Sequence, residues 1–184
     1  MKVAILGGSF DPVHCGHIAM AKTALQALDC DQVWFMPTQD TPLKDHSLTP
    51  AHHRVAMIER ILNQDRRFRV CRLEVEREGK SYTIDTVRQL TRQYPENTFY
   101  WLIGNDQIAQ FADWKDADQL VKLCHFVGFD RDGKMADSPY DIQRIHMPMV
   151  PVSSSEIRIG NKLNYLPQAV REYIYEHRLY IKEF

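Results

Sequence analysis

The chain has 184 residues, of which 44% are hydrophobic and 26% charged, with a formal net charge of −1. That length suits one domain over residues 1–184 with a substantial core, and the near-neutral balance excludes the broad basic excess that marks a nucleic-acid-binding surface. No apolar run reaches transmembrane length and no leader with a cleavage site is evident, so the expectation is a cytoplasmic protein with neither nucleic-acid nor membrane partners.

In chain order, Val3 to Leu6 reads as a buried strand that breaks at Gly7-Gly8. A helix follows from about Gly16, with Ile18, Ala21, Ala24, Leu25 and Leu28 at helical spacing. Gln32 to Met36 is a short strand stopped by Pro37. Thr38 to Pro50 is an ordered loop, and a helix runs from Thr49 or Pro50 to about Leu62. Phe68 to Leu73 alternates like a strand, Glu74 to Ser81 is a charged connection, and Thr83 begins a helix carrying Val87 and Leu90.

Thr98 to Ile103 is the strongest strand pattern, ended by Gly104-Asn105-Asp106. Short helices follow through Leu123, then a strand from His125 to Phe129. Asp130 to Tyr140 reads as a mobile surface loop, and Ile142 to Val150 as an edge or irregular strand. Ser153 or Ser154 caps a helix holding Ile157 and Arg158, and a last helix starts at Pro167. Alternating strands and helices predict an α/β fold, a single-domain Rossmann-like parallel sheet with helices on both faces. Ligands of such sheets bind beyond the carboxyl ends of the strands.

Two stretches carry chemistry. In Gly7-Gly8-Ser9-Phe10-Asp11-Pro12-Val13-His14-Cys15-Gly16-His17, a glycine turn leads from a strand to a helix start. Free N–H groups and the helix dipole favour an anion there, and His14 and His17 add hydrogen-bond donors or positive charge. Far along the chain, Ser153-Ser154-Ser155-Glu156-Ile157-Arg158 places hydroxyls and a guanidinium at a second helix start, a combination suited to phosphate. Cys15 between the two histidines has no further partner at zinc-like spacing, and Cys30, Cys71 and Cys124 are scattered, so no metal site is expected.

The first stretch has the G-x-F-D-P-x-H-x-G-H form, and the second resembles the SSTxIR signature, of the nucleotidylyltransferase superfamily. The closest resemblance is to the bacterial nicotinate-nucleotide adenylyltransferases, and it spans nearly the whole chain. It implies an enzyme of NAD biosynthesis that transfers AMP from ATP to nicotinate mononucleotide, giving nicotinate adenine dinucleotide and pyrophosphate. The attack is direct and in line, with Mg2+ arriving with ATP rather than in a dedicated protein site. The family's catalytic positions fall on His14, His17, Lys44 and Arg158. Its ATP-binding positions fall on Gly7, Gly8, Ser9, Phe10, His14, His17, Ser153, Ser154, Ser155 and Arg158. Asp11 and Pro12 are expected to fix the turn rather than to act as a base, because a substrate phosphate is already ionised.

The second substrate is implied by weaker likenesses: Ser81-Tyr82-Thr83-Ile84-Asp85-Thr86 resembles SYT-x-DT, and Gly104 with Asp106 resembles GxD. The resemblance gives a nicotinate-nucleotide set of Lys44, Thr83, Gly104, Asp106, Trp114 and Arg131. In that set the Thr83 N–H meets the pyridine carboxylate and Trp114 stacks on the ring. Leu43 and Lys115 depart from the family pattern, where histidine and tyrosine are frequent. Three rival readings stand beside this one. An enzyme of the same class could use nicotinamide mononucleotide or both substrates, another family member could use a different acceptor, and a noncatalytic nucleotide-binding regulator could retain the fold.

Overall fold

The computed structural model describes residues 1–39, 48–130 and 134–180. Among them the elements run β1 (Lys2–Gly8), α1 (Cys15–Leu28), β2 (Gln32–Pro37), α2 (Ala51–Glu59), β3 (Phe68–Val70), α3 (Thr83–Gln93) and β4 (Thr98–Ile103). They continue as α4 (Asn105–Gln110), α5 (Ala117–Leu123), β5 (His125–Asp130), β6 (Gln143–His146), α6 (Ser154–Arg158) and α7 (Gln168–Glu176). None of these helices is long and apolar enough to cross a membrane.

The six strands form one sheet in the order β3-β2-β1-β4-β5-β6, and every neighbouring pair is parallel. Alternation along the strands sorts the core into two layers. Ala4, Leu6, Val33, Phe35 and Leu102 face α1, α2 and α7, whereas Val3, Ile5, Trp34, Met36 and Trp101 face α3, α4 and α5. The expected α/β architecture with helices on both faces is therefore what the chain adopts. After β3 the chain crosses back to place β4 beside β1, so the order reverses between these central strands. That reversal opens a crevice at their carboxyl ends.

Several boundaries differ from the sequence reading, each for a local reason. The first strand does not break at the glycines, because Gly7 and Gly8 stay in register with Met36 and Pro37 of β2. The second helix stops at Glu59 and tightens into a 3-10 turn at Leu62–Gln64, where the Gln64 N–H reaches the Ile61 carbonyl at 3.0 Å. The third strand ends at Val70 rather than Leu73. Cys71 still donates to Phe35 at 2.8 Å, but the chain then turns, with Glu76 N–H on the Arg72 carbonyl at 3.0 Å.

The charged connection before α3 is braced internally. Buried Glu74 accepts from the Thr86 hydroxyl at 2.9 Å, and Arg77 donates to Thr86 at 2.9 Å and to Gln89 at 2.7 Å. Residues 134–140 are likewise tied down, with Met135, Ala136 and Tyr140 packed on the second core layer and Ala136 N–H on the Asn105 side-chain oxygen at 2.8 Å.

Candidate active site

At the carboxyl ends of the central strands a cavity of about 380 Å³ is lined by Gly8, Ser9, His14, Gly16, His17, Ser153, Ser154, Ser155 and Arg158. Met20, Met147, Val150 and Val152 give it an apolar wall. The two motifs, remote in sequence, meet here. Sequence reasoning missed Met20 and Met147. Met20 lies one helical turn beyond His17 on α1, a spacing that places the two on one face.

His14 is the N-cap of α1, and its side chain accepts the Gly16 N–H on Nδ1 at 3.0 Å. His17, one turn on, accepts the His14 N–H on its own Nδ1 at 3.1 Å, which closes a reciprocal capping box. A ring nitrogen that accepts carries no proton, so each neutral imidazole bears its proton on Nε2 and can donate from there. The rings stack at 3.8 Å, and His17 meets the edge of Phe10 at 4.8 Å. Burial pushes the His14 pKa down to about 4, against a smaller opposing pull from Glu156. His14 is thus a neutral donor at physiological pH rather than a cation. Gly16 is required by the same packing, since a Cβ there would come within 2.8 Å of the His14 ring.

The serines of the second motif divide their work. Ser153 is the N-cap of α6 and exchanges hydrogen bonds with Glu156, donating to its carboxylate at 3.0 Å and accepting its N–H at 3.3 Å. Glu156 is also paired with Lys162 at 2.8 Å. The Ser154 hydroxyl donates to the Pro12 carbonyl at 2.9 Å. Ser155 accepts from Arg158 Nη2 at 3.1 Å, and its own hydroxyl hydrogen remains to be offered to a ligand. Arg158 Nη1 donates to the Asp11 carbonyl at 2.9 Å. Two of its five N–H groups are thereby spent on holding the fork in place.

Beneath this floor lies a buried polar network. The Asp11 side chain is 1% exposed, accepts the Thr49 N–H at 3.1 Å, and accepts the Tyr180 hydroxyl on its other oxygen. Arg54, also 1% exposed, donates to the carbonyls of Thr49 at 2.7 Å, Ser9 at 2.9 Å and Thr38 at 2.7 Å. It ties together the segments that follow β1 and β2 and precede α2. Sequence reasoning passed over Arg54, although it stands at helical spacing with Met57, Ile58 and Ile61 on the buried stripe.

Of the remaining sequence-derived site residues, Gly7 lies in the β-ladder, with Trp101 beside its Cα, and the Phe10 side chain is packed in the core against Phe35. Neither lines the cavity. Thr83 is the first residue of α3, and Tyr82 before it supplies no side-chain cap to the helix start. Half-buried Trp114 leans on Phe111 at 5.1 Å. Lys115 Nζ lies 4.6 Å from the Tyr82 ring centroid, which brings the Trp114 segment to the start of α3. Gly104 caps α4 and gives its N–H to Gln107 at 3.0 Å, with Asp106 exposed in the first turn. Lys44 and Arg131, and with Lys44 the Leu43 departure, lie outside the described residues.

Among the described residues, no group of three or more His, Cys, Asp or Glu side chains could hold a metal ion. Burial also keeps the Cys15 thiol above its usual range.

A parallel sheet with a paired-histidine helix start, facing a serine-capped arginine across its switch point, defines a nucleotidyltransferase. The cytidylyltransferase-like family matches residues 5–160. A probable nicotinate-nucleotide adenylyltransferase of Halalkalibacterium halodurans is 43% identical, over 97% of this chain and 91% of that protein. Another, of Bacillus licheniformis, is 42% identical over 97% and 98%. The chain belongs to the nicotinate-nucleotide adenylyltransferases of this family. The fold is shared with Plasmodium falciparum nicotinic acid mononucleotide adenylyltransferase complexed with NaAD, at a TM-score of 0.78 and 24% identity over 97% of both chains. The same enzyme complexed with APC gives a TM-score of 0.75.

Proposed function

We propose that this protein, as one nucleotidyltransferase domain over residues 1–184, transfers AMP from ATP to nicotinate mononucleotide. The products are nicotinate adenine dinucleotide and pyrophosphate, and the setting is cytoplasmic NAD synthesis. The observation that carries the reading is the junction of the His14–His17 helix start with Ser155 and Arg158 on one cavity. The names of the relatives, nicotinate-nucleotide adenylyltransferases, support nicotinate mononucleotide as the acceptor.

A phosphate oxygen of the mononucleotide attacks the α-phosphorus of ATP, and the bond to the β-phosphate oxygen breaks, releasing pyrophosphate. No protein nucleophile or base is needed, because the attacking oxygen is ionised. Catalysis consists of alignment and of donors set where charge develops. His14 and His17 donate from Nε2 to the α-phosphate region, and the capping box fixes both rings before substrate arrives. Ser155 and Arg158 hold the departing β- and γ-phosphates, and Lys44 adds a further cation. Gly8 and Ser9 form the cradle, and the apolar wall of Met20, Met147, Val150 and Val152 receives the adenine. Mg2+, when it arrives with ATP, would supply charge neutralisation for the leaving group.

Recognition of the mononucleotide falls to other elements. The N–H groups at the start of α3, at Thr83, read the carboxylate, Trp114 stacks on the pyridine, and Gly104, Asp106 and Arg131 hold ribose and phosphate. The direct test is pyrophosphate release with ATP and Mg2+, comparing nicotinate and nicotinamide mononucleotides. A strong preference for the nicotinate form is expected. Equal rates would make the site dual-specific, and ATP binding with no release would leave a noncatalytic regulator or a different acceptor.

A further inference from the structure

Tyr180 lies beyond the last helix and far in sequence from both motifs, yet its hydroxyl donates to the Asp11 carboxylate beneath the cavity floor. Leu179 N–H is tied to the Ile174 carbonyl at 3.0 Å, and Arg178 and Tyr180 take left-handed φ values of 51° and 59°. After α7 the chain thus reverses sharply, and Leu179 and Tyr180 pack on the core layer shared with α1, α2 and α7. Two non-glycine residues held in that region indicate that surrounding contacts fix the reversal.

What Tyr180 holds is the turn that carries the second motif. The Asp11 carbonyl accepts Arg158 at 2.9 Å, and the Pro12 carbonyl accepts Ser154 at 2.9 Å. From the other side Thr49 N–H grips Asp11 at 3.1 Å, and Arg54 fixes the carbonyls of Ser9 and Thr49. Burial and the neighbouring Asp11 push the Tyr180 hydroxyl well above the ordinary tyrosine range, so it remains a donor throughout the working pH range.

We propose that Tyr180 is a positioning residue for AMP transfer: through Asp11 its hydroxyl sets the turn against which Arg158 and Ser154 are registered. Removing the hydroxyl takes a donor from a buried carboxylate oxygen and loosens that register. Misplacement of a charge-stabilising group is felt in turnover, where alignment is worth orders of magnitude. Mononucleotide recognition on α3 and beside Trp114 rests on other elements and stays intact. This inference rests on the AMP-transfer reading of the same site.

The test is Tyr180→Phe in the full-length protein, assayed by pyrophosphate release below the measured Tm of every variant. The expected result is a fall in kcat of about ten-fold, with KM for nicotinate mononucleotide within about two-fold of wild type. In an Arg158→Ala background the same substitution should change kcat by less than about two-fold, because the interaction it supports is already gone. Asp11→Asn reads the link from its other end, and its kcat loss should not add to that of Tyr180→Phe. A Tyr180→Phe enzyme with wild-type kcat, or losses that multiply in either double variant, would overturn the inference while leaving the enzyme class in place. A wild-type protein that releases no pyrophosphate overturns both readings.

Discussion

The Arg158 guanidinium donates to the Asp11 carbonyl at 2.9 Å, so the second motif is fastened to the first by the side chain proposed to meet phosphate. A planar fork can brace on a carbonyl and a hydroxyl and still present further N–H groups to an anion, whereas an ammonium cannot keep that geometry. Arg158→Lys should therefore lower kcat by about 10- to 100-fold, despite the retained charge, with little change in KM for the mononucleotide. Steady-state kinetics on both substrates checks it. A lysine variant with wild-type turnover would show that only the charge matters.

The two histidines make separate predictions. His14 is neutral in the folded protein, with a pKa of about 4 against 6.5 for the free group. The unfolded chain therefore binds the extra proton first as pH falls. The stability held by neutral His14 is complete above pH 6.5 and is lost progressively as pH drops toward about 4, about 2 kcal/mol of it by pH 5. Urea unfolding of wild type and His14→Asn between pH 7 and pH 5 should show the wild type losing more stability. Parallel losses would place the titration elsewhere.

His17→Ala should act on the chemical step, since its donor is proposed to serve charge that develops in the transition state. Turnover should fall by about 100-fold or more, with a modest change in mononucleotide affinity. Trp114→Ala should instead raise KM for the mononucleotide by about ten-fold, corresponding to one lost stacking contact. Identical kinetic defects in the two variants would dissolve the division of the cleft into reaction and recognition halves.

What the sequence made readable and what it hid follow from the range of the interactions. The strand Thr98–Ile103 and the start of α3 at Thr83 were found at their observed limits, because apolar patterning and helix-start chemistry are local. The His14 and Ser153 helix starts meet because both follow strands of one parallel sheet. Arg54 escaped because pattern reading counts apolar residues on a stripe and passes over a charge whose partners are carbonyls from distant loops. The hydroxyl partners of the serine helix start were hidden for a similar reason. The partner of Ser154 is a backbone oxygen 142 positions away, which no local pattern announces.

Arg54 yields a stability prediction. Its guanidinium is enclosed and donates to carbonyls of Thr49, Ser9 and Thr38, which would lose that charged donor on truncation. Arg54→Ala should destabilise the fold by about 3 kcal/mol, and for a chain of this size that lowers Tm by about 10 °C. Arg54→Lys should recover only part of the loss, because one ammonium cannot span carbonyls from separate segments. Calorimetry on both variants decides it, and a lysine variant with wild-type Tm would refute the geometric part of the argument.

Lys115 turns a departure from the family pattern into a question of selectivity. Its Nζ lies 4.6 Å from the Tyr82 ring centroid, and Lys80 Nζ lies 4.8 Å from the same ring. Neither lysine forms an ion pair among the described residues. Tyr82 immediately precedes Thr83, so two positive charges flank the helix start proposed to receive the nicotinate carboxylate. A charge about 4–8 Å from the carboxylate across a solvated surface would favour the anion by about 0.5–1 kcal/mol and do little for a neutral carboxamide. Lys115→Gln should therefore lower the ratio of kcat/KM for nicotinate over nicotinamide mononucleotide by about two- to five-fold. Raising the ionic strength should lower that ratio in the wild type and leave the variant less affected, because screening removes what the substitution already took away. A ratio unchanged by both treatments would confine carboxylate selection to the backbone N–H groups at Thr83.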